Sequence, residues 1–196
     1  MGLKPFFCFY GGKWRAAPRY PAPQHHRVIE PFAGAAGYAT RHHRADVVLV
    51  ETDPLIAGLW RWLIGASERE ILTLPHEVRT TVQDLGLAPG PSALIGFWLN
   101  KGVSSPRQRP SAWMREGRRP RSFWGPEVRQ RIASQVGAIR HWTLIEGDYS
   151  ILHGRQNTQR SRRTLENLAV LEDVDASGPM GDDEQFDLDE LADAAL

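Results

Sequence analysis

Residues Val28 to Asp53 read VIEPFAGAAGYATRHHRADVVLVETD. An apolar strand comes first, then a glycine-rich turn, a short helix, and a second apolar strand that ends in acids. That order builds a nucleotide-like pocket at the carboxyl end of a strand in an open α/β sheet. Gly34 and Gly37 lack a Cβ, so the backbone there can pass close to a ligand. Glu51 ends the second strand, where a carboxylate can accept both hydroxyls of a ribose. The separation of Gly34 and Glu51 is close to that of dinucleotide sites. Taken alone, a glycine after a strand serves equally as an ordinary turn.

A second glycine segment lies upstream, FYGGKWR at Phe9–Arg15. Tyr10 offers an aromatic face that attracts a sulfonium. Gly11 and Gly12 offer a permissive backbone, and Lys13 offers a cation for a carboxylate. These are the groups a methyl donor such as S-adenosylmethionine asks for. A flexible turn with a solvated lysine is the plainer alternative.

The rest of the chain sets the frame. Its 196 residues fit one domain, or one domain with an insertion. An apolar fraction of 41% suffices for a core. No apolar run approaches the roughly 18–20 residues that span a bilayer, and the N-terminus lacks the pattern of a signal peptide. Cys8 is the single cysteine, so no internal disulfide forms and a cytoplasmic setting is expected. The net charge of +1 hides two opposed blocks. From Gly90 to His141, Lys101 and nine arginines face Glu116 and Glu127, a balance of +8. From Thr164 to Leu196 there are eleven acids and no Lys or Arg, a balance of −11. Blocks of opposite sign have different partners.

Along the chain, residues 1–27 carry four prolines and read as loop with at most a short helix. A strand opens at Val28–Ile29, and Ala33–Thr40 is the glycine turn running into a helix. Val47–Val50 has the length and composition of a buried strand. Pro54–Ile64 reads as a helix with Pro in its first turn. Ser67 and Glu70 form a capping pattern for the next. Pro75–Leu87 is expected to be helical, Pro89–Pro91 to punctuate, and Ala93–Asn100 to form a buried helix. Residues 102–126 read as a basic loop. Pro126–Val136 has Val128, Ile132 and Val136 on one helical face, and His141–Ile145 is a strand closed by Gly147–Asp148. From about Gly154 the composition turns polar, then acidic, and predicts a short helix followed by a disordered tail.

Together these segments resemble the adenine-specific DNA methyltransferases of the Dam-like class, phage-encoded members in particular. The resemblance rests on Phe9-Tyr10-Gly11-Gly12-Lys13, on Glu30-Pro31-Phe32-Ala33-Gly34, on Glu51 with Asp53-Pro54, and on Gly147-Asp148-Tyr149. It covers about residues 5–150. It implies an α/β, Rossmann-like S-adenosylmethionine-dependent sheet formed by residues 1–75 and 141–153. A helical target-recognition insertion would occupy 76–140, with LIGFWLNKG and SPRQRPSAWM inside it, and a divergent tail 154–196. It further implies that Tyr10 and Lys13 contact the methionine end of the donor and that Glu30, Pro31, Phe32 and Gly34 line the same pocket. Glu51 would hold the ribose, and Asp148 would sit near the donor adenine.

The family's catalytic element, Asp-Pro-Pro-Tyr, does not occur in this sequence. In that element an Asp carboxylate and a main-chain carbonyl accept the hydrogens of an exocyclic amine, and the Tyr ring stacks on a base turned out of the duplex. The expected sheet is therefore incomplete, and a truncation or frameshift near residues 150–155 is expected. Asp173 and Asp175 lack the flanking prolines and aromatic. Two functions fit these residues: a DNA adenine N6-methyltransferase acting with a part not present here, or a non-catalytic remnant that binds DNA or donor. Lys101, Arg107, Arg109, Arg115, Arg118, Arg119 and Arg121 are expected to hold phosphates of double-stranded DNA. Arg129 and Arg131 join them, and Trp98, Trp113, Phe123 and Trp124 are candidates to stack on bases. The pairs His25-His26 and His42-His43 lack the companions of a metal site, so no metal is expected. A monomer away from membranes completes the expectation, with oligomers left open.

Overall fold

The computed structural model describes residues 2–115 and 121–155. The chain is α/β. Three strands, β1 (Arg27–Glu30), β2 (Asp46–Glu51) and β3 (Thr143–Glu146), form an open parallel sheet in the order β1-β2-β3. Arg27 pairs with Asp46 at one end of the first ladder, and Glu51 with Glu146 at the far end of the second. β2 is central, and Val47, Leu49 and Val50 are wholly buried. A strand covered on both faces needs an unbroken apolar run, as Val47–Val50 provides.

The crossover from β1 to β2 carries α1 (Gly37–Arg41). The long crossover from β2 to β3 carries α2 (Pro54–Gly65), α3 (Glu68–Thr73), α4 (Pro89–Trp98), α5 (Ala112–Arg115) and α6 (Pro126–Val136). The helix starts follow local chemistry. Asp53 caps α2 by accepting from Leu55 N at 2.8 Å, with Pro54 at the first helical position. Ser67 and Glu70 close a reciprocal capping box on α3, an arrangement that contributes about 1 kcal/mol.

The helices within 76–140 share the core of the sheet. α4 packs on α2, and α6 packs on α3. One apolar cluster runs from Phe6 through Trp60 and Phe97 to Trp142. Trp60 is its centre, with Phe6, Phe7 and Trp142 rings 5.3–5.8 Å away.

Two expectations about elements are corrected. Residues 75–87 form turns with one 3-10 turn at Gln83–Leu85, not a helix. There Thr81 N donates to Asp84 Oδ2 at 3.0 Å and Asp84 N to Thr81 Oγ1 at 3.2 Å, while the Thr80 hydroxyl also donates to Asp84. Such short-range side-chain bonds compete with helix formation. Second, α4 begins at Pro89, because prolines are tolerated in a first helical turn where amides have no partner. The expected short helix and disordered tail lie outside the described residues, which end in a 3-10 turn at Tyr149–Arg155. Among the described residues no helix is long and apolar enough to cross a membrane.

Candidate functional site at the carboxyl ends of the strands

The two glycine segments meet. A Cβ on Gly37 would lie 2.4 Å from Trp14 N and 2.7 Å from the Lys13 carbonyl carbon. The main chain of the GGKW segment therefore lies directly on the first residue of α1. A Cβ on Gly34 would lie 3.3 Å from the Phe9 ring. Arg41 fastens the joint: its Nε donates to Trp14 O at 2.7 Å, and its guanidinium sits 4.0 Å from the Trp14 ring centre. The sequence reading gave Gly37 to a ligand; the structure gives that close approach to the chain's own Lys13–Trp14 peptide.

The turn after β1 is tied to β2 at Ala33 and Gly34. Ala33 N donates to Val50 O at 3.0 Å. Gly34 N donates to Glu51 Oε2 at 2.9 Å, and Asp53 N to Glu51 Oε1 at 2.9 Å. Gly34 takes a positive φ of 43°, as a glycine does readily. Ala36 takes φ 49° and is wholly buried. A left-handed alanine costs roughly 1 kcal/mol, and the surrounding bonds hold it there. Trp60 Nε1 donates to Gly34 O at 2.7 Å, so the core tryptophan also fixes the turn. Sequence reasoning missed this role, because an indole on an apolar helix face reads as core alone.

Glu51 is 8% exposed. Each of its oxygens accepts one backbone amide and keeps a second lone pair for another donor. Its own carbonyl accepts from Gly147 N at 2.9 Å, which joins the end of β3 to the same point. Asp148 Oδ1 accepts from Ser150 N at 2.9 Å in a tight turn. The Tyr149 ring then lies 5.2 Å from the Phe32 ring. Phe32 is 62% exposed, and Tyr149, Leu55 and Ile151 are about 40% exposed. The strand ends thus present an aromatic pair beside a buried carboxylate. Pro31 is half-buried behind it.

Glu30 faces inward. Its Oε1 accepts from Tyr38 N at 3.0 Å and Ala39 N at 3.4 Å, in the first turn of α1. Its Oε2 is buried with no hydrogen-bond partner among the described residues. Burial pushes the carboxyl up to about 7, against the pull of the two amides. Glu30 therefore anchors α1 beneath the turn.

Tyr10 is 71% exposed, and its N donates to Val103 O at 3.1 Å. That bond brings the basic loop to the strand ends. Tyr10 and residues 102–107 line an open hollow of about 530 Å³, with Ser104, Ser105 and Arg107 on its wall. Lys13 is exposed on the neighbouring turn.

The basic region divides into two sets. Arg107, Arg109, Arg115 and Arg121 are exposed. Arg129 Nη1 donates to Leu74 O at 2.6 Å and Arg131 Nη1 to Pro5 O at 2.9 Å. Arg131 also lies 5.1 Å from the Trp98 ring centre, and burial pulls its guanidinium down to about 10. Both are part of the packing rather than of an open cationic surface. The Lys101 ammonium is buried 5.1 Å from the Phe123 ring centre, and burial lowers its pKa. Trp98 and Trp124 are 5% and 1% exposed, and their indole N–H groups donate to Phe6 O and Pro75 O. They are core residues, unavailable to a nucleobase. Arg118 and Arg119 lie outside the described residues, as does the side chain of Trp113.

No family model matches this chain, and no curated protein matches it. Among the described residues no group of three or more His, Cys, Asp or Glu side chains is placed to hold a metal.

Proposed function

We propose that the chain binds S-adenosylmethionine at the carboxyl ends of its strands and is the donor-binding part of a Dam-like adenine N6 DNA methyltransferase. One observation carries the reading. The FYGGKW segment and the EPFAG turn, far apart in sequence, are docked on one another beside Glu51 and the Phe32–Tyr149 pair. An open three-stranded parallel sheet suits a partial Rossmann-like methyltransferase core.

In this reading the donor supplies an activated methyl group. The second lone pairs of Glu51 take the ribose hydroxyls, and Phe32 and Tyr149 bound the purine with Asp148 at its edge. Tyr10 and Lys13 face the methionine end, while Pro31 and Gly34 shape the wall. Glu30 positions that wall from below. Exposed Arg107, Arg109, Arg115 and Arg121, with Arg118 and Arg119 of the same loop, hold the phosphates of double-stranded DNA. Lys101, buried on Phe123, contributes through the loop's conformation. Because the sequence has no Asp-Pro-Pro-Tyr, transfer to a flipped adenine belongs to an assembly that supplies that element. A donor-binding or DNA-binding protein without catalysis is the second reading, favoured by the same absence.

Calorimetric titration of the full chain with S-adenosylmethionine tests the proposal. Saturable binding is expected. Phe32→Ala removes an exposed ring, so it should weaken binding while leaving the unfolding midpoint unchanged. Glu51→Gln should weaken it further. Absence of saturable binding by the native chain refutes the reading.

A further inference from the structure

The chain that follows α4 buries a cation without an acceptor. Lys101 Nζ is buried, and no hydrogen-bond partner among the described residues reaches it. An ammonium carries three donors and no acceptor. Leaving them unused away from water is costly. The Phe123 ring centre lies 5.1 Å away and offsets only part of that cost. Like charges press on the same point. Burial lowers the pKa of Lys101, and the charges of Arg15 and Arg131 lower it further. Arg131 is itself fixed inside, on Pro5 O and against the Trp98 ring. Cys8 belongs to the same group. Burial pushes its thiol up to about 11, against the pull of Lys101, Arg131 and Arg15. Near neutral pH the thiol is therefore uncharged and does not balance the cations.

Room for an anion begins at the next residue. Gly102 takes a positive φ of 69°, and a Cβ there would meet nothing within 4 Å. From that glycine onward, residues 102–107 line the open hollow with Tyr10. Ser104, Ser105 and Arg107 are exposed on its wall. Two hydroxyls and a guanidinium are the donors that phosphate oxygens accept. The lysine stem is a flexible chain of four carbons. Its ammonium can therefore pass from Phe123 to the hollow while α4, which ends at Trp98, stays intact.

We infer that the hollow binds the phosphate group of a phosphate ester and that Lys101 is its moving cation. The ammonium leaves Phe123 and joins Ser104, Ser105 and Arg107 on the phosphate oxygens. Binding gives Lys101 the acceptor it lacks and carries its charge away from Arg131. The site shares Arg107 with the DNA reading above and does not rest on it.

The test titrates the full chain with inorganic phosphate at constant ionic strength, by calorimetry and by carbon NMR of lysine-labelled protein. Only Lys4, Lys13 and Lys101 carry the label. Binding should saturate. The Lys101 ε-methylene signal, displaced by the Phe123 ring, should return toward its ordinary position as phosphate is added, while Lys4 stays still. Lys101→Met keeps a flexible stem on Phe123 and should bind phosphate roughly tenfold more weakly. In phosphate-free urea it should unfold at no lower midpoint than the native chain, because the ammonium has no acceptor to lose. Arg69→Gln, exposed on α3, should change neither result. No saturable binding by the native chain overturns the site. Saturable binding with a stationary Lys101 signal overturns the part given to Lys101, and that arm needs no variant. Equal affinity of Lys101→Met and the native chain does the same. Glycerol phosphate and a short DNA duplex are then added as competitors. Displacement by the duplex identifies a nucleic-acid backbone as the source of the phosphate, and displacement by glycerol phosphate alone identifies a small ester. Displacement by neither overturns the assignment to phosphate esters. None of these outcomes depends on donor binding.

Discussion

Replacing Glu30 by Gln should change stability by an amount that depends on pH. The native carboxyl is buried, and its pKa is raised from 4.5 to about 7 by burial. In the unfolded chain it returns to the ordinary range. Between these values the folded state binds the proton more tightly than the unfolded state, so stability falls as pH rises. The contribution is fully present below about 4.5 and is lost as pH passes through about 7. The complete loss is about 3 kcal/mol, of which about 2–3 kcal/mol falls between pH 5 and 8.5. Gln keeps an oxygen for Tyr38 N and Ala39 N and cannot ionise. At pH 5 an amide replaces a mostly neutral acid, and the two proteins should differ by no more than about 1 kcal/mol, from an amide hydrogen left without an acceptor. At pH 8.5 the variant should be the more stable. Urea unfolding of both proteins across this range gives the comparison, and other titrations cancel in the difference. With a slope of about 2 kcal/mol per molar, the relative midpoint should move by about 1 M. A difference that stays constant from pH 5 to 8.5 would refute the claim that Glu30 titrates as a buried acid.

Gly37→Ala places a methyl within 2.4 Å of Trp14 N, so the GGKW segment must lift from the turn. We expect a loss of about 2–3 kcal/mol in urea unfolding, together with loss of donor binding in the calorimeter. Ser67→Ala removes one half of the α3 capping box and should cost about 1 kcal/mol in the same assay while leaving donor binding intact. Equal stability of that variant would show that the box does not hold α3.

The local elements were legible in the sequence because local chemistry sets them. The apolar run of β2, the proline and aspartate at the start of α2, the capping box of α3 and the apolar face of α6 each depend on residues within a turn of one another. The segment 75–87 departs from the expected helix because Thr80, Thr81 and Asp84 bond among themselves. The FYGGKW and EPFAG segments were legible as candidates, yet neither carries information about its partner.

Tertiary structure alone decided what those candidates touch. It placed the Lys13–Trp14 peptide where Gly37 has no side chain, turned Glu30 inward to α1, and gave Trp60 the carbonyl of Gly34. It also sorted the arginines, binding Arg129 and Arg131 to backbone carbonyls of distant segments while leaving Arg107, Arg109, Arg115 and Arg121 in solvent. Charge and glycine content are written residue by residue, so the sequence determines them. Burial and the choice of hydrogen-bond partner depend on chain brought from dozens of residues away, and they exist only once the fold has closed around them.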